Sequence, residues 1–145
     1  MPNPGVRFHA WIYAKRPDVS AIVHKHPPAC AALSMIGEPL AIAHMDATPL
    51  FDDCAFLPEW PGLPIGDDEG VIISDAMGTK HAILLATHGL LTAASSIEEA
   101  TMLAVWMEHA AESIFAPGRS DPSRRLRPSS RQNRGTSCAN RKSSV

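Results

Sequence analysis

The sequence predicts an α/β domain, and three observations carry that prediction. Two short apolar runs, Ser20-Ala21-Ile22-Val23 and Ala82-Ile83-Leu84-Leu85-Ala86, have the length and composition of strands, the second buried throughout. Segments of helical periodicity alternate with them, the clearest reaching from Ser95 to Phe115. Prolines and glycines stand at the joins, as they do where one element hands over to the next. Strands alternating with helices define the class.

Taken in order, Val6 to Arg16 reads as a helix, with Phe8, Trp11 and Ile12 on one side and Lys15-Arg16 in the last turn, where positive charge complements the helix dipole. Pro17 ends it, and Ala21–His24 follows as a strand. Pro28 to Met35 reads as a short helix opened by two prolines and closed by Gly37. Pro39–His44 is expected to be a second strand. From Asp46 to Gly70 the abundance of Pro, Gly and Asp predicts a long ordered surface loop, packed through Phe51, Phe56, Leu57 and Trp60. Gly70–Met77 reads as a short helix or turn ended by Gly78, and Ala82–Ala86 as a strand. Ser95-Ser96-Ile97-Glu98-Glu99 offers a capping box in two registers, Ser95 with Glu98 or Ser96 with Glu99. The helix that follows carries Ile97, Ala100, Leu103, Met107, Ala110 and Ile114 on one face, and stops at Pro117-Gly118.

The chain has 145 residues, enough for one domain with a moderate core. No apolar stretch approaches the ~20 residues of a membrane span, and Met1-Pro2-Asn3-Pro4-Gly5 lacks the layout of a signal peptide. Cys30, Cys54 and Cys138 form no disulfide pattern and fit a reducing cytoplasm. The net charge of -2 conceals a split: residues 1–118 carry fourteen acids against five basic residues, whereas 119–145 carry eight basic residues and only Asp121. The domain is therefore expected to span 1–118. The Ser- and Arg-rich stretch 119–145 is expected to be disordered, having almost nothing apolar to bury. Without interleaved aromatics or helical spacing of its charges, it reads as an unselected extension, such as a shifted reading frame, before a nucleic-acid or membrane-surface binder.

The chemistry sits at two strand ends. His24 and His26 are two residues apart, so at the end of a strand they project to the same side. A second apolar strand ends in Thr87-His88-Gly89. Imidazole suits borderline divalent metals, and a catalytic site needs about three protein ligands and one open position. On spacing alone, a metal site of His24, His26 and His88 stands about level with satisfied rim histidines. His44 and Asp46 are weaker candidates for supporting such a site and read more simply as a rim residue and a turn former. Asp52-Asp53 and Asp67-Asp68-Glu69 read as solvated loop acids, and His81, His9 and His109 as surface or interface residues.

The run Arg16-Pro17-Asp18-Val19-Ser20-Ala21-Ile22-Val23-His24-Lys25-His26-Pro27-Pro28 resembles the segment of the class II aldolase/adducin family in which "RPDV.AVVHTH" carries two metal histidines. Ala82 to Ala100, with its Thr87-His88-Gly89, is similar to the second signature of that family, where "NHG" supplies a third ligand. The motifs occur in the family's order, about sixty residues apart, and the resemblance covers roughly Val6 to Phe115. It implies a three-layer α/β/α sandwich, here only the C-terminal two-thirds of it, that assembles as a homotetramer. His24, His26 and His88 would hold a divalent metal, zinc first, with iron, manganese or cobalt as alternatives. The metal would act as a Lewis acid on a small hydroxy-carbonyl substrate in a lyase reaction.

The resemblance also marks a departure. The family's acid/base glutamate precedes the first metal histidine by nineteen residues, and counting back from His24 reaches Gly5. The family's earlier, phosphate-binding portion is also expected to be missing, so the chain reads as N-terminally truncated. Both departures predict little or no aldolase activity from this chain alone, with no catalytic residue assigned. A non-haem iron oxygenase or decarboxylase on the same scaffold is the alternative enzyme, and an adducin-like interaction module the non-catalytic one. A small-molecule substrate is expected, and neither a membrane nor a nucleic-acid partner.

Overall fold

Four short strands form the sheet from which the candidate histidines project. The computed structural model describes residues 5–59 and 68–116. Along the chain run helix α1 (Val6–Lys15), strand β1 (Ala21–Lys25), helix α2 (Pro28–Ile36), a 3-10 helix (Met45–Leu50), strand β2 (Cys54–Leu57), helix α3 (Asp68–Met77), strands β3 (Ala82–Leu85) and β4 (Gly89–Ala94), and helix α4 (Ile97–Phe115). The strands lie in the order β1-β4-β3-β2. β4 is antiparallel to both β1 and β3, while β2 is parallel to β3.

The sheet is covered on both faces, which makes a three-layer α/β/α sandwich. Alternation along β3 sends Ala82 and Leu84 to one face and Ile83 and Leu85 to the other. On the first face they meet Cys30 and Leu33 of α2 and Leu103 and Met107 of α4. On the second they meet Phe8 and Ile12 of α1 and Ile73 and Met77 of α3. The central strands β3 and β4 are buried at every position, so neither shows a polar alternation in its sequence.

Helix ends follow the predicted chemistry. Pro28 opens α2 and Gly37 closes it in the left-handed conformation, φ 78°. Of the two capping registers the structure takes Ser96 with Glu99: Ser96 Oγ accepts from Glu99 N at 3.2 Å, and Glu99 Oε2 accepts from Ser95 N at 3.2 Å. α1 and α3 pack closely because Gly70 has no side chain; a Cβ there would stand 2.3 Å from Trp11 Cδ1.

Several predicted elements are corrected. Pro39–His44 is not a strand; Leu40 and Ile42 point inward from an extended segment that packs on the α2/α4 core without a strand partner. The expected loop from Asp46 contains the 3-10 helix and strand β2, and α3 begins at Asp68, ahead of the expected Gly70. Gly89–Ala94, buried on both faces and without a sequence signal of its own, is a central strand. Trp60, the stop at Pro117-Gly118 and the basic stretch 119–145 lie outside the described residues.

Candidate metal centre

His24 is the fourth residue of β1 and faces the same side as Ile22, toward α1. Its ring packs edge-on against Phe8, with centroids 5.0 Å apart. Its Nδ1 lies 2.8 Å from the carbonyl oxygen of Leu90 on the neighbouring strand. A carbonyl only accepts, so Nδ1 carries the hydrogen and donates it, and Nε2 is left with a lone pair. His26 stands one residue beyond the strand, before Pro27. His88 belongs to the tight turn of three residues between β3 and β4.

The three rings converge as the sequence predicts. His24 Nε2 is 2.9 Å from His88 Nε2 and 3.1 Å from His26 Nε2. One ligating nitrogen from each histidine falls within 4.8 Å of the others. A tetrahedral ion with metal–nitrogen bonds of 2.0–2.1 Å would place its ligand nitrogens ~3.3 Å apart, and the two spacings that involve His24 lie within a few tenths of an ångström of that. Burial, then the neighbouring His88, pushes the His24 imidazolium down to about 4. Burial, then His26, lowers His88 as well. Both rings are therefore neutral near pH 7, the form in which imidazole ligates metal. The three-imidazole donor set, with the tautomer of His24 fixed and His24 and His88 neutral, suits a borderline divalent cation.

The residues around His88 explain its placement. Thr87 takes the left-handed conformation, φ 56°, which turns the chain between β3 and β4. Gly89 is needed for space rather than for its φ: a Cβ there would meet His26 Cδ2 and the Lys25 carbonyl oxygen, each at 2.5 Å. The side chain of His26 and its backbone lie against the bare face of Gly89.

A cavity of about 600 Å³ opens beside His24, with Gly5, His9, Tyr13 and Ile22 in its wall. Gly5, where the resemblance puts a carboxylate, thus does line the space beside His24, and among the described residues no carboxylate lines it. His9 is half-buried in this wall, and burial lowers its pKa. Its spacing of four from Gly5 on α1 was the available signal.

The weaker candidates stand elsewhere. His44 accepts from Asp46 N at 3.3 Å and caps the 3-10 helix, with both side chains exposed. Asp53 is no solvated acid: it accepts from His81 N at 3.0 Å and from His81 Nδ1 at 2.8 Å. Glu69 is buried, and burial raises its pKa against the opposing charge of Arg7. Burial and neighbouring Glu108 raise the Cys30 thiol, and burial pushes Cys54 up to about 12, so both are inert thiols rather than ligands.

Comparisons with known proteins bear on the family and the fold. Residues 1–115 match the model of the class II aldolase and adducin N-terminal domain. The L-fuculose phosphate aldolase of Haemophilus influenzae is 33% identical over 110 residues, which are 74% of this chain and 50% of that protein. The 4-hydroxy-3-prenylphenylpyruvate oxygenase/4-hydroxy-3-prenylbenzoate synthase of Streptomyces roseochromogenus subsp. oscitans is 35% identical over 93 residues, 64% of this chain and 34% of that protein. The structure of L-fuculose 1-phosphate aldolase from Glaciozyma antarctica PI12 superposes with a TM-score of 0.69 at 33% identity, covering 79% of this chain and 43% of that one. The chain thus spans between a third and a half of the length of these relatives. With the family model matching most of its length and the sandwich and histidine motifs in their expected places, the chain belongs to the class II aldolase and adducin family.

Proposed function

We propose that this chain is the metal-binding part of a class II aldolase-like lyase acting on a small hydroxy-carbonyl compound, with His24, His26 and His88 as ligands of a divalent ion, zinc first. The observation that carries the reading is the convergence of three Nε2 atoms, one of them fixed as a lone-pair donor by the Leu90 carbonyl. An interaction module has no need of such convergence. Bound there, a divalent ion would supply Lewis acidity toward the hydroxyl and carbonyl oxygens of a substrate. The chain's own contribution is to present the three imidazoles, His24 and His88 in the neutral form, and to shape the cavity beside His24. With Gly5 in place of a carboxylate, the proton-carrying side chains in that wall are His9 and Tyr13. A positioned general base contributes typically 10²–10⁴-fold, so its loss costs about 3–5 kcal/mol of barrier and leaves a slow enzyme. The homotetramer and the cytoplasmic setting belong to the same reading.

The test is elemental analysis after reconstitution. Wild type is expected to hold one metal per chain, and His24→Ala, His26→Ala and His88→Ala to lose it. A wild type without stoichiometric metal, or a His88→Ala variant that binds as tightly, refutes the assignment. A second reading, an iron-dependent oxygenase or decarboxylase, is favoured by the relative named as an oxygenase and by the cavity without a carboxylate. Oxygen consumption with iron alone supports it, and cleavage of a hydroxy-aldehyde supported by zinc supports the lyase.

A further inference from the structure

The three histidines are not held equally. His24 is clamped by the Leu90 carbonyl and by Phe8. His88 sits in a short turn between two paired strands. His26 is exposed and lies past the last residue of β1, with its ring against His24 and His88. Its place is set by the backbone that follows it. Pro27 and Pro28 have no N–H and a fixed φ, so few soft torsions separate His26 from the first turn of α2. Pro27, at the N-cap, makes no side-chain capping bond. The missing cap comes from α4: Glu108 Oε1 accepts from Ala29 N at 2.8 Å, and Oε2 accepts from Cys30 N at 2.8 Å. Both carboxylate oxygens are engaged, at the positive end of the helix dipole, by groups 79 and 78 residues away in the chain.

We propose that Glu108 is a positioning residue for His26: by pinning the first turn of α2 to α4 it keeps the third imidazole in the cluster, a role that rests on the metal reading above. Partners that orient ligands without touching metal typically change affinity 10–100-fold when removed. The role belongs to the carboxylate as a bidentate acceptor. Glutamine keeps one acceptor oxygen and alanine none, so the two substitutions grade the loss.

The experiment titrates cobalt(II) into wild type, Glu108→Gln and Glu108→Ala, reading affinity and the visible spectrum of the bound ion. It also measures backbone ¹⁵N order parameters of the metal-free proteins at His24 and His26. Cobalt affinity is expected to fall about tenfold in the Gln variant and toward 100-fold in the Ala variant. The order parameter of His26, and not that of His24, should drop from the rigid range near ~0.85 toward ~0.6. Should Glu108→Ala fail to fold, Glu108→Gln carries both readouts. Unchanged affinity, spectrum and His26 order, beside lower thermal stability alone, would overturn the proposal and make Glu108 a helix cap. If wild type itself takes up no cobalt, the metal reading falls, and the order parameter of His26 still decides the role of Glu108.

Discussion

Thr87 stands in a backbone conformation that disfavours it. A β-branched residue at φ 56° is strained by its own Cβ, and the strain falls beside a candidate ligand. The resemblance places Asn at this position of the motif, and Asn tolerates the left-handed region far better. Thr87→Asn is therefore expected to raise stability by about 1 kcal/mol, read as a higher denaturant midpoint at unchanged slope. Gly89 works in the opposite direction. Its Cβ in Gly89→Ala would lie 2.5 Å from a backbone oxygen, so β1 or the turn must shift. The expected outcome is loss of metal affinity together with a destabilisation of about 1–3 kcal/mol, the cost of overpacking. A variant that binds metal as wild type does would show that His26 has room the structure does not reveal.

Among the elements, Arg16 has the widest reach. It is nearly fully buried, and its Nη1 donates to the carbonyls of Gly78 at 3.0 Å and Lys80 at 2.9 Å, while Nη2 pairs with Asp18 at 2.6 Å. It thereby ties the α1–β1 connection to the α3–β3 connection. Arg16→Ala leaves two carbonyls unpaired at about 1–3 kcal/mol each, so chemical denaturation should show a loss of roughly 3 kcal/mol. The same pair sets a pH dependence. The hydrogen bond from Arg16 holds the Asp18 carboxyl down at about 2. A folded pKa below the unfolded one stabilises above ~3.9. That contribution should disappear as pH falls from about 4 through 2, and Asp18→Asn should flatten stability over that window. Legibility followed the same physics. α4, α2 and β3 could be read because caps, prolines and a wholly apolar run are local signals. β4 was missed because Leu90 to Ala94 shows no alternation when both faces are buried. β2 was missed because its four residues sit among turn formers. Pro39–His44 carried the alternation of a strand but gains its burial from the helix layer. The three histidines were legible as two strand-end motifs. Glu108 was not, because its partners lie 78 and 79 residues away and nothing local marks them.

For the whole molecule, the candidate site joins segments that the chain keeps far apart. His24 and His88 are 64 residues apart in sequence and meet through Nε2 atoms 2.9 Å apart. An unfolded chain cannot hold such a ligand set together, so metal should bind the native state almost exclusively and stabilise it by mass action. At one hundred times the dissociation constant the gain is about 2.7 kcal/mol, or about 10 °C for a domain near 100 residues. The expected result is a rise of that size on adding zinc, reversed by a chelator and absent in His88→Ala. The metal-free His88→Ala protein should melt somewhat below metal-free wild type, since a His88 ring with its hydrogen on Nε2 donates to His24 Nε2 at 2.9 Å and the variant loses that bond, worth about 1 kcal/mol. A zinc-induced shift that survives in His88→Ala would place the ion elsewhere. No shift in wild type would mean that the rings pack for stability alone.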